Sequence, residues 1–194
     1  MDVRQFLNTM ALAERLKDTT RHSWTSGGRH ESVAEHSWRL ALMAFFLRDE
    51  FPQADMDKVM RMCLIHDLGE AFTGDIPTFD KTKANEEAEA QLLTKWVDSL
   101  PEPYRGEMAA LYREMEARET LEARIYKALD KLEAVIQHNE ASLDTWIPLE
   151  FELNLTYGSD TAAFSPWLTA LRREIRGDME EKIRRYGGPD TLKN

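Results

Sequence analysis

The sequence predicts an all-α fold, a single domain of six or seven helices that spans residues 1–194. Two observations favour this fold class. Apolar residues recur at spacings of three and four over most of the chain, which is typical of amphipathic helices. No segment alternates convincingly between apolar and polar residues, as a half-buried strand would. A chain of 194 residues is long enough for one domain with a sizeable core.

The first two helices are separated by a polar segment. The periodicity of the first helix begins at Val3 and ends near Asp18. Ser32 and Glu35 form a capping-box pattern that starts the second helix, which is apolar nearly all round from Trp38 on. Residues 19–31 are irregular and rich in cationic and aromatic side chains, so they are either an exposed connector or a ligand-binding segment.

The later helices follow from capping and breaking signals. A third helix, capped by Asp55 or Asp57, is predicted to run through His66 to Glu70 and to stop at Gly74. The remaining predicted helices cover residues 83–100, residues 104–115, a segment from Thr120 to about residue 137, and residues 165–186 with a stop at Gly187-Gly188-Pro189. Residues 139–164 are expected to be irregular.

Composition excludes several classes of partner. The 25 basic and 35 acidic residues give a formal charge of −10, which argues against binding a nucleic-acid polymer or an anionic membrane surface. No apolar run approaches the ~20 residues of a membrane span, and the N-terminus lacks the pattern of a signal peptide. Cys63 is the single cysteine and lies in an apolar helix, as expected of a buried thiol in a reducing compartment. The expected location is the cytoplasm.

The segment His66-Asp67-Leu68-Gly69-Glu70 concentrates the chemistry. His66 and Asp67 offer a neutral nitrogen and an anionic oxygen side by side, and Glu70 is expected on the same helix face. Asp75 follows the helix stop, where a loop can fold back over that face. A His-Asp pair alone is weak evidence, because a polar helix end with a capped histidine has the same sequence.

Two further residues strengthen the prediction of a metal site. His36 near the start of the second helix and Asp130 on the edge of a later apolar stripe complete a set of two imidazoles and two carboxylates. This set suits Mn²⁺, Co²⁺, Fe²⁺, Ni²⁺ or Zn²⁺ and leaves positions for water or substrate. The alternatives are a core-edge histidine at position 36 and a surface carboxylate at position 130, between Lys127 and Lys131.

Three motifs resemble those of the HD-domain phosphohydrolases, in particular the 5′-deoxynucleotidase branch. They are residues 29–37 (RHESVAEHS), residues 66–76 (HDLGEAFTGDI) and residues 129–133 (LDKLE). The likeness runs from about residue 16 to residue 137. The first two motifs are fairly specific as a set, and the third is loose.

The resemblance implies a site in which His36, His66, Asp67 and Asp130 hold one divalent metal ion. It implies further roles for four residues: Glu70 as the catalytic carboxylate, Asp75 close to the leaving group, and Arg21 and Trp24 in contact with the nucleotide. The family also implies a homodimer.

The same residues account for the chemistry of phosphate-ester hydrolysis. A divalent ion lowers the pKa of its bound water towards ~7, and Glu70 can accept a proton from that water as a general base. Asp75 can orient the water or protonate the departing alkoxide. Arg21, with Arg29 or Lys81, can bind phosphate oxygens, and Trp24 can stack on the base.

The sequence therefore predicts an enzyme, a metal-dependent phosphomonoesterase that acts on deoxynucleoside 5′-monophosphates. One alternative is another HD chemistry, on nucleoside triphosphates, alarmones or cyclic nucleotides. The other is a non-catalytic helical ligand-binding protein with a degenerate site. Retention of four ligand residues and Glu70 weighs against that second alternative.

Overall fold

The computed structural model describes residues 1–187, and within that range the protein is built from helices and one small sheet. Seven of the described helices have ten residues or more, which confirms the all-α prediction. In chain order the elements are α1 (Val3–Glu14), β1 (Thr20–Trp24), β2 (His30–Ser32), α2 (Val33–Phe46), α3 (Met56–Ile65), α4 (Glu70–Thr73), α5 (Lys83–Asp98), α6 (Tyr104–Ala117), α7 (Leu121–Glu140), α8 (Glu150–Thr156), α9 (Ser159–Ala162) and α10 (Pro166–Tyr186).

The chain divides into two compact units. The first comprises Met1–His22 and Glu31–Tyr126, and in it α2 packs extensively on α3. Its fully buried apolar side chains include Val33, Leu40, Ala44, Val59, Met62, Cys63, Ala123 and Ile125. The second comprises Ser23–His30 and the described residues from Lys127 on, and in it α10 packs on α8 and α9. Its core includes Ala128, Leu129, Leu132, Val135, Leu168 and Met179.

Residues 19–31, predicted to be irregular, contain a β-hairpin. Strands β1 and β2 form a two-stranded sheet. At its tip the Thr25 N–H donates to the Arg29 carbonyl at 2.7 Å, and Gly28 takes a φ of 80°, in the left-handed region that favours glycine. The strands were not predicted because a half-buried strand is recognised by residues that alternate between two faces. The residues of β1 do not alternate regularly between buried and exposed positions.

The third helix was predicted to continue to Glu70, but α3 ends at Ile65. In a continuing helix the Ile65 carbonyl would accept the N–H of residue 69. Here the Leu68 N–H donates to the Ile65 carbonyl at 3.2 Å, and the Tyr112 hydroxyl donates to the same oxygen at 2.6 Å. The chain therefore tightens into a turn at residues 66–69, and Glu70 begins the separate helix α4.

Residues 139–164 are more regular than predicted. They contain α8 and α9, separated by Gly158 with a φ of 79°. At the C-terminus, α10 ends at Tyr186 as predicted, with Gly187 following it. Gly188 and Pro189, the rest of the predicted stop signal, lie outside the described residues.

Two smaller predictions concern membrane-spanning helices and Cys63. Among the described residues, none of the helices combines the length and hydropathy that a membrane crossing requires. Cys63 is fully buried and, as the single cysteine of the chain, forms no disulfide bond within it.

Candidate active site

Three of the predicted metal ligands come together in the first unit. One ligand atom from each of His36, His66 and Asp67 lies within 4.8 Å of the other two. The closest approach is between His66 Nε2 and Asp67 Oδ2, at 2.9 Å, and His36 Nε2 lies 3.8 Å from the same oxygen. The two imidazole rings meet edge to face with centroids 5.1 Å apart.

The capping box at the start of α2 fixes the position of His36. Ser32 Oγ accepts the Glu35 N–H at 3.2 Å, and Glu35 Oε2 accepts the Ser32 N–H at 2.9 Å. His36 follows one turn into the helix and is completely buried. Its side chain is therefore held by a defined helix start and by close packing.

The hydrogen bond at Nδ1 of His66 determines whether its Nε2 atom can act as a metal ligand. His66 Nδ1 lies 2.9 Å from the Cys63 carbonyl, which can only accept a hydrogen bond, so Nδ1 carries a proton. In the neutral ring Nε2 then presents a lone pair towards an Asp67 oxygen 2.9 Å away. A nitrogen lone pair and a carboxylate oxygen at this distance repel each other unless positive charge lies between them. A histidine that donates its other N–H to a carbonyl is also the usual arrangement of a metal ligand, so the donor set fits a divalent cation.

Tyr112 on α6 supports this arrangement and has no counterpart in the sequence prediction. Its hydroxyl donates to the carbonyl of Ile65, directly before His66. Burial, and to a smaller extent the negative charge of Asp67, raises the pKa of Tyr112 above its usual range. The phenol is therefore a protonated donor that anchors the end of α3, and sequence spacing alone offered no signal for it.

Glu70 is a buried carboxyl next to the cluster, with only 6% of its surface exposed. Burial, followed by the negative charges of Asp67 and Asp75, raises the pKa of Glu70 to about 10. Its Oε2 atom is buried without a hydrogen bond to the described part of the chain. A buried carboxyl whose pKa is shifted, and whose Oε2 atom makes no hydrogen bond to the described residues, is a candidate for proton transfer.

Asp75 follows the sharp turn at Gly74, whose φ of 77° favours glycine. Burial raises the pKa of Asp75, while the Arg21 guanidinium lowers it, and the net shift is upward. The backbone N–H of His22 also donates to this carboxylate. The loop thus brings Asp75 within the electrostatic influence of Arg21, Asp67 and Glu70.

Arg21 on β1 is held across the hairpin by Glu31 on β2. Its guanidinium Nη1 lies 3.0 Å from Glu31 Oε2, and both side chains are largely buried. The charge of Arg21 also opposes the upward shifts in the pKa values of Glu70 and Asp75, without reversing them. Glu31 belongs to the first motif but received no role from the sequence, because the cross-strand pairing was not predicted.

Lys81 lies near the end of the loop that carries Asp75. Its ammonium is 2.8 Å from Glu89 Oε2 on α5. The carboxylates of Glu70 and Asp67 both contribute to raising the pKa of Lys81. Lys81 therefore lies within the electrostatic field of the cluster, as the sequence hypothesis for a phosphate contact requires.

Trp24 and Arg29 belong to the second unit. Gln137 Nε2 donates to the Trp24 carbonyl at 2.7 Å, and the Trp24 ring packs on His30 with centroids 4.1 Å apart. Arg29 is exposed, and its guanidinium donates to the His30 carbonyl at 3.1 Å. Both remain predicted substrate contacts.

Asp130, the fourth predicted ligand, also belongs to the second unit and lies on α7. Lys127 Nζ lies 2.7 Å from Asp130 Oδ2, so the alternative based on neighbouring lysines describes a real contact. The carboxylate is half-buried. Its role as a metal ligand stays a prediction.

Comparison with known proteins gives consistent matches. The 5′-deoxynucleotidase HDDC2 of Homo sapiens is 33% identical over 145 residues, covering 71% of this chain and 68% of that protein. A crystal structure described as a predicted metal-dependent phosphohydrolase from Magnetospirillum magnetotacticum is 31% identical with a TM-score of 0.75, covering 95% of this chain and 96% of that one. A conserved hypothetical protein from Pyrococcus furiosus is also 31% identical, with a TM-score of 0.56 and 93% of each chain covered.

The family model described as HD domain matches residues 13–172. This match begins at the end of α1, includes His36, the His66-Asp67 pair and Asp130, and ends within α10. The resemblance inferred from the three motifs is thereby confirmed, and the chain belongs to the HD domain family.

Proposed function

We propose that this protein is a metal-dependent phosphomonoesterase that hydrolyses deoxynucleoside 5′-monophosphates to deoxynucleoside and phosphate. The observation that carries the proposal is the convergence of His36, His66 and Asp67 beside the buried carboxyl of Glu70. The human relative named as a 5′-deoxynucleotidase, together with the HD domain match, supports this class of substrate.

One divalent ion is the proposed cofactor, and His36, His66, Asp67 and Asp130 would hold it. The nitrogen and oxygen donors suit Mn²⁺, Co²⁺, Fe²⁺, Ni²⁺ or Zn²⁺. Such an ion would supply positive charge that offsets the phosphate and the neighbouring carboxylates, and it would make a water molecule more acidic.

Glu70 is the proposed general base. Once the charge of Asp67 and Asp75 is offset, the Glu70 carboxyl ionises more readily and can accept a proton from the attacking water. Its buried Oε2, which makes no hydrogen bond within residues 1–187, is the atom that would receive this proton. Burial also excludes bulk water from competing for that oxygen.

Asp75 is the proposed donor at the leaving oxygen. Burial raises the pKa of Asp75, and when this carboxyl carries a proton it can donate that proton to the departing 5′-alkoxide. The hydrogen bond from His22 holds the side chain in place.

Arg21 and Lys81 are the proposed phosphate contacts. Both are cationic, both influence the carboxylates of the cluster, and each is held by a carboxylate on a neighbouring element. Trp24 would stack on the nucleobase, and Arg29 would add a further cationic contact. The proposed protein is a homodimer located in the cytoplasm, and each chain functions as a single domain.

A panel of nucleotides tests the function. The protein, loaded in turn with each candidate metal, is incubated with deoxynucleoside and ribonucleoside 5′-monophosphates, triphosphates, an alarmone and cyclic nucleotides, and every product is identified by chromatography. We expect deoxynucleosides and phosphate to form fastest. The Asp67→Ala variant, purified in the same way, controls for a contaminating phosphatase.

Other products would overturn the proposed substrate class. Pyrophosphate or triphosphate release, or opening of a cyclic phosphodiester, would indicate another HD chemistry. Stoichiometric bound metal without turnover of any phosphoester would indicate a non-catalytic protein.

A further inference from the structure

Gly69, directly before Glu70, is required for space rather than for backbone conformation. Its φ of −60° and ψ of −34° suit any residue. A Cβ atom at this position would, however, lie 2.8 Å from Glu89 Cγ and 3.0 Å from Glu89 Oε1. The side chain of Glu89 on α5 therefore lies directly against the backbone of the His-Asp turn.

From this position Glu89 reaches Lys81. Glu89 Oε2 lies 2.8 Å from Lys81 Nζ, and the two side chains are only 17% and 22% exposed. The backbone of Lys81 is held as well, because its N–H donates to the Pro77 carbonyl at 2.9 Å. Thr82 then caps α5 through a capping box with Asn85. Both partners of the ion pair thus stand on defined local structure.

The Lys81 ammonium has competing partners within the cluster. Burial lowers the pKa of Lys81, but the carboxylate of Glu89, and to a smaller extent those of Glu70 and Asp67, raise it. The net result is a pKa above the usual range. A lysine side chain is a flexible stem with a compact charge. Without Glu89, the ammonium would be drawn towards Asp67 and Glu70 and away from the position in which Glu89 holds it.

We propose that Glu89 is a positioning residue, which holds the Lys81 ammonium for the phosphate of the substrate and away from Asp67 and Glu70. Gly69 provides the space that this placement requires. The inference rests on the proposed function, because it gives Lys81 a phosphate to bind, and it adds a residue that the sequence motifs do not include.

The Glu89→Gln variant of the metal-loaded enzyme tests the direction of the effect. If Glu89 positions Lys81, the KM for a deoxynucleoside 5′-monophosphate should rise about three- to tenfold, with kcat and bound metal retained. If Glu89 acts only as a nearby negative charge, its removal should improve binding of an anion, and KM should fall. A fall or no change in KM would overturn the proposal.

A matched control and a double variant separate positioning from general damage. Glu87→Gln, at an exposed glutamate on the same helix, should leave KM unchanged. Lys81→Met should raise KM more than Glu89→Gln does, by roughly 10- to 100-fold. Adding Glu89→Gln to Lys81→Met should have no further effect on KM. Additive effects would show that Glu89 acts through something other than Lys81.

The space at Gly69 is tested by a compensating pair. Gly69→Ala should raise KM like Glu89→Gln, because the new methyl group displaces the Glu89 side chain. On a Glu89→Ala background the same substitution should have no further effect on KM or Tm, because the space is empty. An equal effect on both backgrounds would contradict the inference.

Binding of inorganic phosphate makes the test independent of turnover. Calorimetry on the metal-loaded protein should give a Kd for phosphate that is three- to tenfold weaker in Glu89→Gln than in the wild type. If no nucleotide is hydrolysed but this difference appears, the proposed function fails and the role of Glu89 stands. If the wild type binds no phosphate, the inference is overturned whatever the activity.

Discussion

His66 Nε2 lies 2.9 Å from an oxygen of Asp67, although the two residues are adjacent in the chain. Neighbouring side chains on a regular helix point about 100° apart. They converge here because α3 ends at Ile65, and His66 and Asp67 occupy the turn that follows. The same turn starts α4 at Glu70, so one break in a helix brings two candidate ligands and the candidate base together.

The first prediction concerns the metal. His36→Ala, His66→Ala, Asp67→Ala and Asp130→Ala should each remove both activity and stoichiometric metal, because each deletes one of the four proposed ligands. Bound metal is measured by elemental analysis after dialysis, and activity by phosphate release. Asp49→Ala, at a side chain that is 92% exposed, is the control and should retain the metal.

Asp130 is the position at which this prediction is tested most severely, since its carboxylate already contacts Lys127 at 2.7 Å. Full metal content together with full turnover in Asp130→Ala would show that the fourth ligand is wrong.

The second prediction concerns Arg21. Arg21→Ala should mainly weaken substrate binding, through loss of a charge-assisted contact that contributes about 1.5–3 kcal/mol. This corresponds to a rise in KM of roughly 10- to 150-fold, with bound metal unchanged. Arg48→Ala, at an exposed arginine, is the control. An unaltered KM for every nucleotide would identify the hairpin as a connector without contact to the substrate.

The helices were predictable because their signals are local. The capping box of Ser32 and Glu35, the N-cap Asp55 and the N-cap Ser165 with its following proline each mark a helix start that the structure contains. The end of α3 was not predictable in this way, because it depends on a hydrogen bond from Tyr112, 47 residues along the chain.

The candidate site shows the same division. His36, His66 and Asp67 could be recognised from residue type and motif, and the structure brings them together. The carboxylates that hold the cationic residues, Glu31 and Glu89, could not, because each acts across elements whose packing has no local signature. For the hairpin a weak signal did exist, since Gly27-Gly28 between two short segments is typical of a turn.

The third prediction concerns stability and pH at the start of α3. Glu122 accepts the Asp55 N–H at 3.0 Å and lies 3.6 Å from Lys58 Nζ. The hydrogen bond from Asp55, and then the charge and hydrogen bond of Lys58, lower the pKa of Glu122 below its usual range. Ionised Glu122 therefore stabilises the folded state above its unfolded-state pKa of about 4.3, and this contribution is lost as the pH falls through the lower folded-state value.

Glu122→Gln should accordingly lower the free energy of unfolding by about 1 kcal/mol at pH 7, seen as a lower Tm. The difference in Tm between wild type and variant should shrink as the pH is lowered from 7 to about 3.5. The exposed Glu116→Gln serves as the control. A difference that stays constant or widens towards acid would contradict the assignment.

The last prediction separates ligand, catalyst and solvated acid at Glu70. If Glu70 is the general base, Glu70→Gln keeps the shape of the side chain and removes only its ability to accept a proton. The variant should then bind metal and nucleotide normally but lose a factor on the order of 10²–10⁴ in kcat. A ligand role predicts that metal is lost together with activity, and a solvated acid predicts almost no change. The burial of Glu70, with 6% of its surface exposed, already opposes the solvated acid. Measuring kcat, KM and bound metal on this one variant decides among the three, and near-normal turnover would overturn the mechanism while leaving the fold and the family intact.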